Sequence, residues 1–256
     1  MPVFRAGAIS YWTIRKGSAE ERENILFIHG AGGSQFSWGF QKGFFEREFN
    51  PIIVDLPGHG ESGGDRKEEI EDYAGDVHSF LKALNLRNVF LVGHSMGGAI
   101  VQTLAVTHPE RIRGIVLVGT GARLKVLPAV LNGIKDNFEE TVKKIVQFAY
   151  SRKAPPDLIE TGIERLLKCR PEVLYGDFLA CNRFDFMMEV GKINLPSLIL
   201  CGEEDEMTPV KYSEFLQHHI QSSRLEVLPD AGHMVMMESP EAFNRKVREF
   251  VLGSRS

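Results

Sequence analysis

Five runs of Ile, Leu and Val, at 25–28, 52–54, 89–92, 115–118 and 198–200, recur along the 256 residues without the apolar–polar alternation of a half-exposed strand. A strand that is apolar on both sides has to be covered on both faces, which is the condition of a parallel sheet packed between helices. The intervening segments have the matching period: 70–84 places Ile70, Tyr73, Ala74, Val77, Phe80, Leu81 and Leu84 on one helical face, and 96–108 and 240–252 read the same way. Strands alternating with helices predict a doubly wound α/β sheet. A looser alternation from 8 to 15, ahead of a Lys-Gly-Ser turn, predicts an N-terminal strand, and 224–228 predicts a strand at the sheet edge.

The rhythm stops between 121 and 191, where roughly 70 residues hold several short helical patterns and no convincing strand. Loops on either side of a crossover helix run about 2–6 residues, so an ordinary connection does not fill this length. The expectation is a helical cap over 121–191, punctuated by Pro128 and Pro155-Pro156, inserted into a core formed by 1–120 and 192–256. One core with an insertion is also what this chain length supports.

Composition narrows the class further. Hydrophobic residues make up 43% and charged residues 25%, which are ordinary globular values and exclude a disordered or collagen-like chain. The formal charge of −4 lacks the basic excess of a general nucleic-acid binder. Three cysteines, Cys169, Cys181 and Cys201, are odd in number and widely spaced, so they suit neither a disulfide framework nor a zinc knuckle; reduced thiols, two of them half-buried, are expected. No apolar stretch approaches the roughly 18 residues of a membrane span and the chain opens without a signal-peptide pattern, so the reading is a soluble, cytoplasmic protein.

Gly93-His94-Ser95-Met96-Gly97-Gly98 stands directly between the run at 89–92 and the helix at 96–108. A serine on such a strand-to-helix elbow is held in a strained turn that projects its hydroxyl, and flanking glycines leave room for the turn. A serine hydroxyl is a poor nucleophile at neutral pH and needs a base and an acid to orient the base. His233, in Asp230-Ala231-Gly232-His233 after the edge strand, supplies the first, and Asp205, in Gly202-Glu203-Glu204-Asp205 after the strand at 198–200, supplies the second. All three fall at carboxyl ends of predicted strands, where open α/β sheets place their crevices, in the order Ser, Asp, His that the elbow motif predicts. Asp205 is preferred over Glu203, Glu204, Glu206 and Asp230 because Pro209 follows four residues on. His29-Gly30-Ala31-Gly32-Gly33-Ser34 offers the Ala31 amide, which together with the Met96 amide makes a candidate oxyanion hole. A phosphate loop is excluded there, since no Gly-Lys-Ser/Thr follows.

These motifs, with Trp38, Asp55-Leu56-Pro57-Gly58-His59-Gly60-Glu61-Ser62, the Gly-x-x-Asp-x-x-x-Pro around Asp205 and Gly-His-Met before Glu238-Ser239-Pro240-Glu241, resemble the α/β-hydrolase superfamily from about residue 24 to 252 outside the cap. Within it the chain is similar to bacterial and archaeal carboxylesterases and to related lactonases, C–C hydrolases and haloperoxidase-like enzymes. The resemblance implies eight strands, the second antiparallel, and cleavage of small to medium carboxylic esters through an acyl-enzyme, without cofactor or metal. Ser95 stands where haloalkane dehalogenases and epoxide hydrolases have Asp, and Ala31-Gly32-Gly33 lacks the proline of some C–C hydrolases. A thioesterase, a lactonase or a C–C hydrolase is the alternative on the same triad, and a ligand receptor with little turnover is the alternative on the same fold.

The other conspicuous residues read more plainly. His94 is expected to pack and hydrogen-bond, and His29 and His59 to order their glycine-rich loops. His218 and His219 diverge by about 100° on a helix and cannot chelate together. Met234, Met236 and Met237 suit the core in preference to a pocket wall. The segment 121–170 carries ten Lys or Arg against six Asp or Glu. Such an excess is ordinarily a solvated face; the sharper alternative is that Arg123, Lys125 or neighbours receive an anionic part of a substrate.

Overall fold

The computed structural model describes residues 3–13 and 22–254. In chain order its elements are β1 (Val3–Ala6), β2 (Ile9–Thr13), β3 (Asn24–Ile28), α1 (Gly39–Phe45), β4 (Asn50–Asp55), α2 (Ile70–Ala83), β5 (Val89–His94), α3 (Met96–Thr107) and β6 (Ile112–Val118). Four helices follow, α4 (Pro128–Asp136), α5 (Phe138–Ala149), α6 (Pro156–Leu166) and α7 (Pro171–Arg183). The chain then closes with β7 (Ser197–Gly202), α8 (Val210–His219), β8 (Ser223–Leu228), α9 (Val235–Glu238) and α10 (Pro240–Gly253).

The strands form one eight-stranded sheet in the order β1-β2-β4-β3-β5-β6-β7-β8. β2 runs antiparallel to both β1 and β4, and the remaining pairs are parallel. Successive residues of the central strands enter different cores. Leu26, Ile28, Leu91, Ile115 and Leu117 pack with α2 and α3. Ile25, Phe27, Phe90, Val92, Val116 and Val118 pack with α1 and α10. Each side of the pleat is therefore apolar, which is why these runs lack alternation. A fully buried aliphatic or phenyl side chain contributes about 1.5–3 kcal/mol over exposure, so the central strands anchor the fold.

The N-terminus corrects the sequence reading. A single strand over 8–15 was expected; instead a β1–β2 hairpin occupies 3–13, turning at Gly7 with φ +62°, and residues 14 and 15 lie outside the described residues. β1 is a four-residue edge strand with Phe4 and Arg5 exposed, so it needed no apolar run to form. The cysteines are also deeper than expected: Cys181 and Cys201 are buried and Cys169 is half-buried, all three as free thiols.

Helices α4–α7 lie between β6 and β7, within the segment where a cap was expected. They share an apolar cluster of their own that includes Ile134, Val142, Val146, Leu174 and Phe178, against which Ala31, Met207 and Met234 from the rest of the molecule pack. This contact puts the helices over the carboxyl ends of the strands. Among the described residues no helix is long and apolar enough to cross a membrane.

Candidate active site

Ser95 sits between β5 and α3 with φ 53° and ψ −115°, a conformation that a side chain adopts only at a cost of about 1–3 kcal/mol. Its surroundings explain how the turn is tolerated. A Cβ on Gly93 would collide with the carbonyl of Gly97, and one on Gly97 would collide with the carbonyl of Ile28. The glycines therefore let α3 start directly against β3 and β5. The turn is pinned by Ser95 N–H donating to Val118 O at 2.9 Å and by the Thr120 hydroxyl donating to Ser95 O at 2.8 Å.

Asp205 and His233, 28 residues apart, meet at 2.9 Å between Oδ2 and Nδ1. Both are buried, with exposures of 4% and 3%. Asp205 is held locally: its Oδ1 accepts the amides of Met207 at 2.9 Å and Thr208 at 2.8 Å, and its Oδ2 accepts the Thr208 hydroxyl at 2.8 Å. Burial pushes the Asp205 carboxyl up, but the charge of His233 and these hydrogen bonds outweigh it, and the group titrates below its ordinary value. The neighbouring acids go elsewhere: Glu203 and Glu206 are exposed, Glu204 accepts the Arg152 amide at 3.1 Å, and Asp230 pairs with Lys153 on the surface.

The loop bearing His233 is clamped from three sides. Glu238 accepts the Gly232 amide at 2.9 Å and the Ser151 amide at 2.8 Å, and the Met234 amide donates to Ala149 O at 3.1 Å. His94 Nε2 lies 3.0 Å from the His233 carbonyl, and burial together with the nearby charge of His233 lowers the His94 pKa to about 3, so this imidazole is a neutral donor. Gly119, at φ +48°, brings its backbone beside the pair: a Cβ there would stand 3.3 Å from both Asp205 Oδ2 and His233 Nδ1. Thr208, Glu238 and Gly119 were not singled out as site residues from the sequence. Glu238 left a trace there as part of the segment after Gly-His-Met, and Thr208 as an unspecified position of Gly-x-x-Asp-x-x-x-Pro.

The Gly30–Gly33 loop is a turn closed by Gly33 N–H to Gly30 O at 3.0 Å, with Gly32 at φ +64° in the position that requires a positive φ. His29 Nδ1 lies 2.8 Å from the same Gly30 carbonyl, while its Nε2 accepts the Leu56 amide at 3.0 Å. That pattern requires the neutral tautomer protonated at Nδ1, in keeping with a pKa lowered to about 4 by burial and by the charge of His59. Asp55 links the next segment to its own loop, accepting the Gln35 amide at 2.6 Å and the Glu61 amide at 3.0 Å.

A cavity of about 160 Å³ brings these parts together; its walls include Ala31, Ser95 and His233 from the core and Val146, Leu166 and Phe178 from the inserted helices. This is smaller than the roughly 300–1,000 Å³ of drug-sized sites, and it is mostly apolar. Lys125 lines it, whereas Arg123 is paired with Asp185 at 3.6 Å. Met234 and Met237 also line it, while Met236 is wholly core. Away from the cavity, His78, His108 and Glu110 bring ligand-type atoms within 4.8 Å of one another. The two imidazoles are stacked at 3.6 Å and 17°, which directs their in-plane lone pairs side by side instead of at a common point.

Residues 25–246 match the model of the alpha/beta hydrolase family. The chain belongs to that family. Among solved structures, this alpha/beta hydrolase is similar to a thermophilic esterase at 33% identity and a TM-score of 0.85, covering 99% of this chain and 98% of the other. Among curated relatives, 3-oxoadipate enol-lactonase 2 of Acinetobacter baylyi is 29% identical over 94% of this chain and 91% of its own. The pimeloyl-[acyl-carrier protein] methyl ester esterase of Neisseria meningitidis is 26% identical over 93% and 97%.

Proposed function

We propose that this hydrolase is a serine esterase in which Ser95 is the nucleophile, His233 the general base and Asp205 the group that orients the base. The observation that carries the reading is that His233, paired with buried Asp205, lines the same small cavity as Ser95 on its strained elbow. With Nδ1–H donated to Asp205, Nε2 is the lone pair left to take a proton. Ser95 Oγ then forms a bond to the ester carbonyl carbon while its proton passes to His233 Nε2, and the negative charge gathers on the carbonyl oxygen. The amides of Ala31 and Met96 receive that oxyanion, aided by the positive end of α3. Collapse breaks the bond to the alcohol, which leaves with the proton from His233; water repeats the sequence on the acyl-enzyme and restores Ser95. No step calls for a metal or cofactor.

In this reading α4–α7 are a cap that closes the acyl pocket, and its small volume supports esters of modest size. A lactone is a cyclic ester and follows the same steps, and the enol-lactonase relative supports testing that class. The deciding experiment is hydrolysis of a p-nitrophenyl ester chain-length series, together with a lactone, by wild type and Ser95→Ala, alongside labelling by an organophosphate. The expected result is turnover greatest for short to medium acyl chains, abolished by the substitution, with one label on Ser95. Unlabelled protein with undiminished hydrolysis overturns the reading, and so does ligand-induced stabilisation without any turnover.

A further inference from the structure

Asp177 belongs to helix α7, yet its carboxylate is fully buried and reaches three elements of the core. Its Oδ2 accepts the Gly32 amide at 2.8 Å and lies 2.7 Å from His59 Nε2, and its Oδ1 accepts the Tyr73 hydroxyl at 2.5 Å. The other His59 nitrogen, Nδ1, faces the Pro57 carbonyl at 3.1 Å. With an acceptor at each nitrogen, the ring is held as an imidazolium. Burial opposes that charge, but the carboxylate of Asp177 outweighs it and keeps the pKa well above 6.5.

The Gly32 contact bears directly on the turn that carries Ala31. A peptide unit is planar, so fixing its carbonyl fixes the direction of the amide on its other side. The Gly30–Ala31 unit is held through Gly30 O, by the Gly33 amide and His29; the Ala31–Gly32 unit is held through Gly32 N–H, by Asp177. Both planes flanking Ala31 are thereby set, the first from the core and the second from the inserted helices. The same loop is pressed from that side, since a Cβ on Gly32 would strike the side chains of Leu166 and Leu174.

We propose that Asp177, held by His59 and Tyr73, is a positioning residue for the oxyanion hole: through Gly32 it fixes the second of the two peptide planes flanking Ala31 and so braces the turn whose first plane carries the Ala31 amide, so that the helices between β6 and β7 contribute to transition-state stabilisation as well as pocket shape. This rests on the esterase reading above. A buried carboxylate satisfied by three donors is a rigid anchor, and a donor misplaced by about 1 Å loses about 100-fold in rate.

The test compares wild type with Asp177→Asn, normalising each to active sites titrated with an organophosphate. The measured quantities are kcat, KM and the inhibition constant of a trifluoromethyl ketone, which forms a reversible hemiketal with Ser95 and places an oxyanion in the hole. The expected result is a kcat about 10-fold or more lower, KM within about 2-fold, and an inhibition constant raised by the same factor as kcat falls. Unchanged kcat per titrated site and unchanged inhibitor affinity, even with a lower melting temperature, overturn the proposal and leave Asp177 a purely structural residue. Should that variant fail to fold, Tyr73→Phe removes one donor and keeps the carboxylate; kcat and inhibitor affinity should then fall together by about 2- to 5-fold, and constancy of both overturns the proposal. Hydrolysis that survives Ser95→Ala removes the esterase reading itself, an outcome distinct from a normal Asp177→Asn.

Discussion

Among the described residues there are two buried Asp–His pairs, one made through the Nδ1 of its imidazole and the other through Nε2. Asp205 and His233 meet at 2.9 Å at the carboxyl ends of β7 and β8, and Asp177 and His59 meet at 2.7 Å between α7 and the loop after β4. They differ in what the second ring nitrogen faces. In His59 it is taken by a backbone carbonyl, so both nitrogens are committed and the ring is a fixed cation. In His233 the aspartate takes Nδ1 while the residue lines a cavity with Ser95. A proton relay needs a nitrogen whose occupancy changes during the cycle; an anchor needs one whose occupancy never does. The residue types alone do not separate these surroundings; under the proposed reading the first pair relays a proton and the second is scaffolding.

The most severe way to break this contrast is Asp205→Asn. It keeps the shape and withdraws the charge proposed to orient His233, so kcat on a p-nitrophenyl ester should fall about 10⁴-fold in a protein that still folds. If Asp205→Asn retains more than a tenth of the activity, the two pairs do not differ in the way argued. Asp177→Asn should show the opposite weighting. Removing one partner of a fully buried pair leaves His59 uncompensated, and denaturant unfolding should register a loss of about 3–5 kcal/mol, far larger than the loss in Asp205→Asn.

A subtler separation lies in pH. The folded pKa of Asp205 is below its ordinary 3.8, so its contribution to stability is complete above that value and disappears as pH falls through the lowered one. The folded pKa of His59 is above 6.5, so its contribution is complete below 6.5 and disappears as pH rises through the raised value. Melting temperatures followed from about pH 3 to 10 should therefore decline at both ends, with Asp205→Asn flattening the acid limb and His59→Gln the alkaline one. Coincident curves for the two variants would show that the pairs are energetically alike.

How far the sequence anticipated this arrangement depends on how local each interaction is. The preference for Asp205 over four neighbouring acids rests on Pro209 four residues on, and its carboxylate is held within that same turn by amides two and three residues on. The elbow at Ser95 was legible because glycines at 93 and 97 answer to steric contacts within the same strand–turn–helix. His59 was read only as ordering a glycine-rich loop, since its partner is 118 residues away. Asp177 did leave a mark, an acid on the apolar stripe of Val173, Leu174, Phe178 and Cys181, but a stripe does not name what it will meet. β1 was missed for a different reason: an exposed edge strand is specified by its neighbour's backbone more than by its own side chains.

The amino-acid order by itself determined the layered α/β architecture, the elbow and the set of candidate residues at strand ends, because hydrophobic period, glycine sterics and turn chemistry all act within a few residues. Only the tertiary structure decided which aspartate meets which histidine, and that the Gly32 amide is answered from a helix 145 residues later. Those are hydrogen bonds between distant segments, and their partners exist only once the sheet has brought the loops to one end and the helices have closed over them.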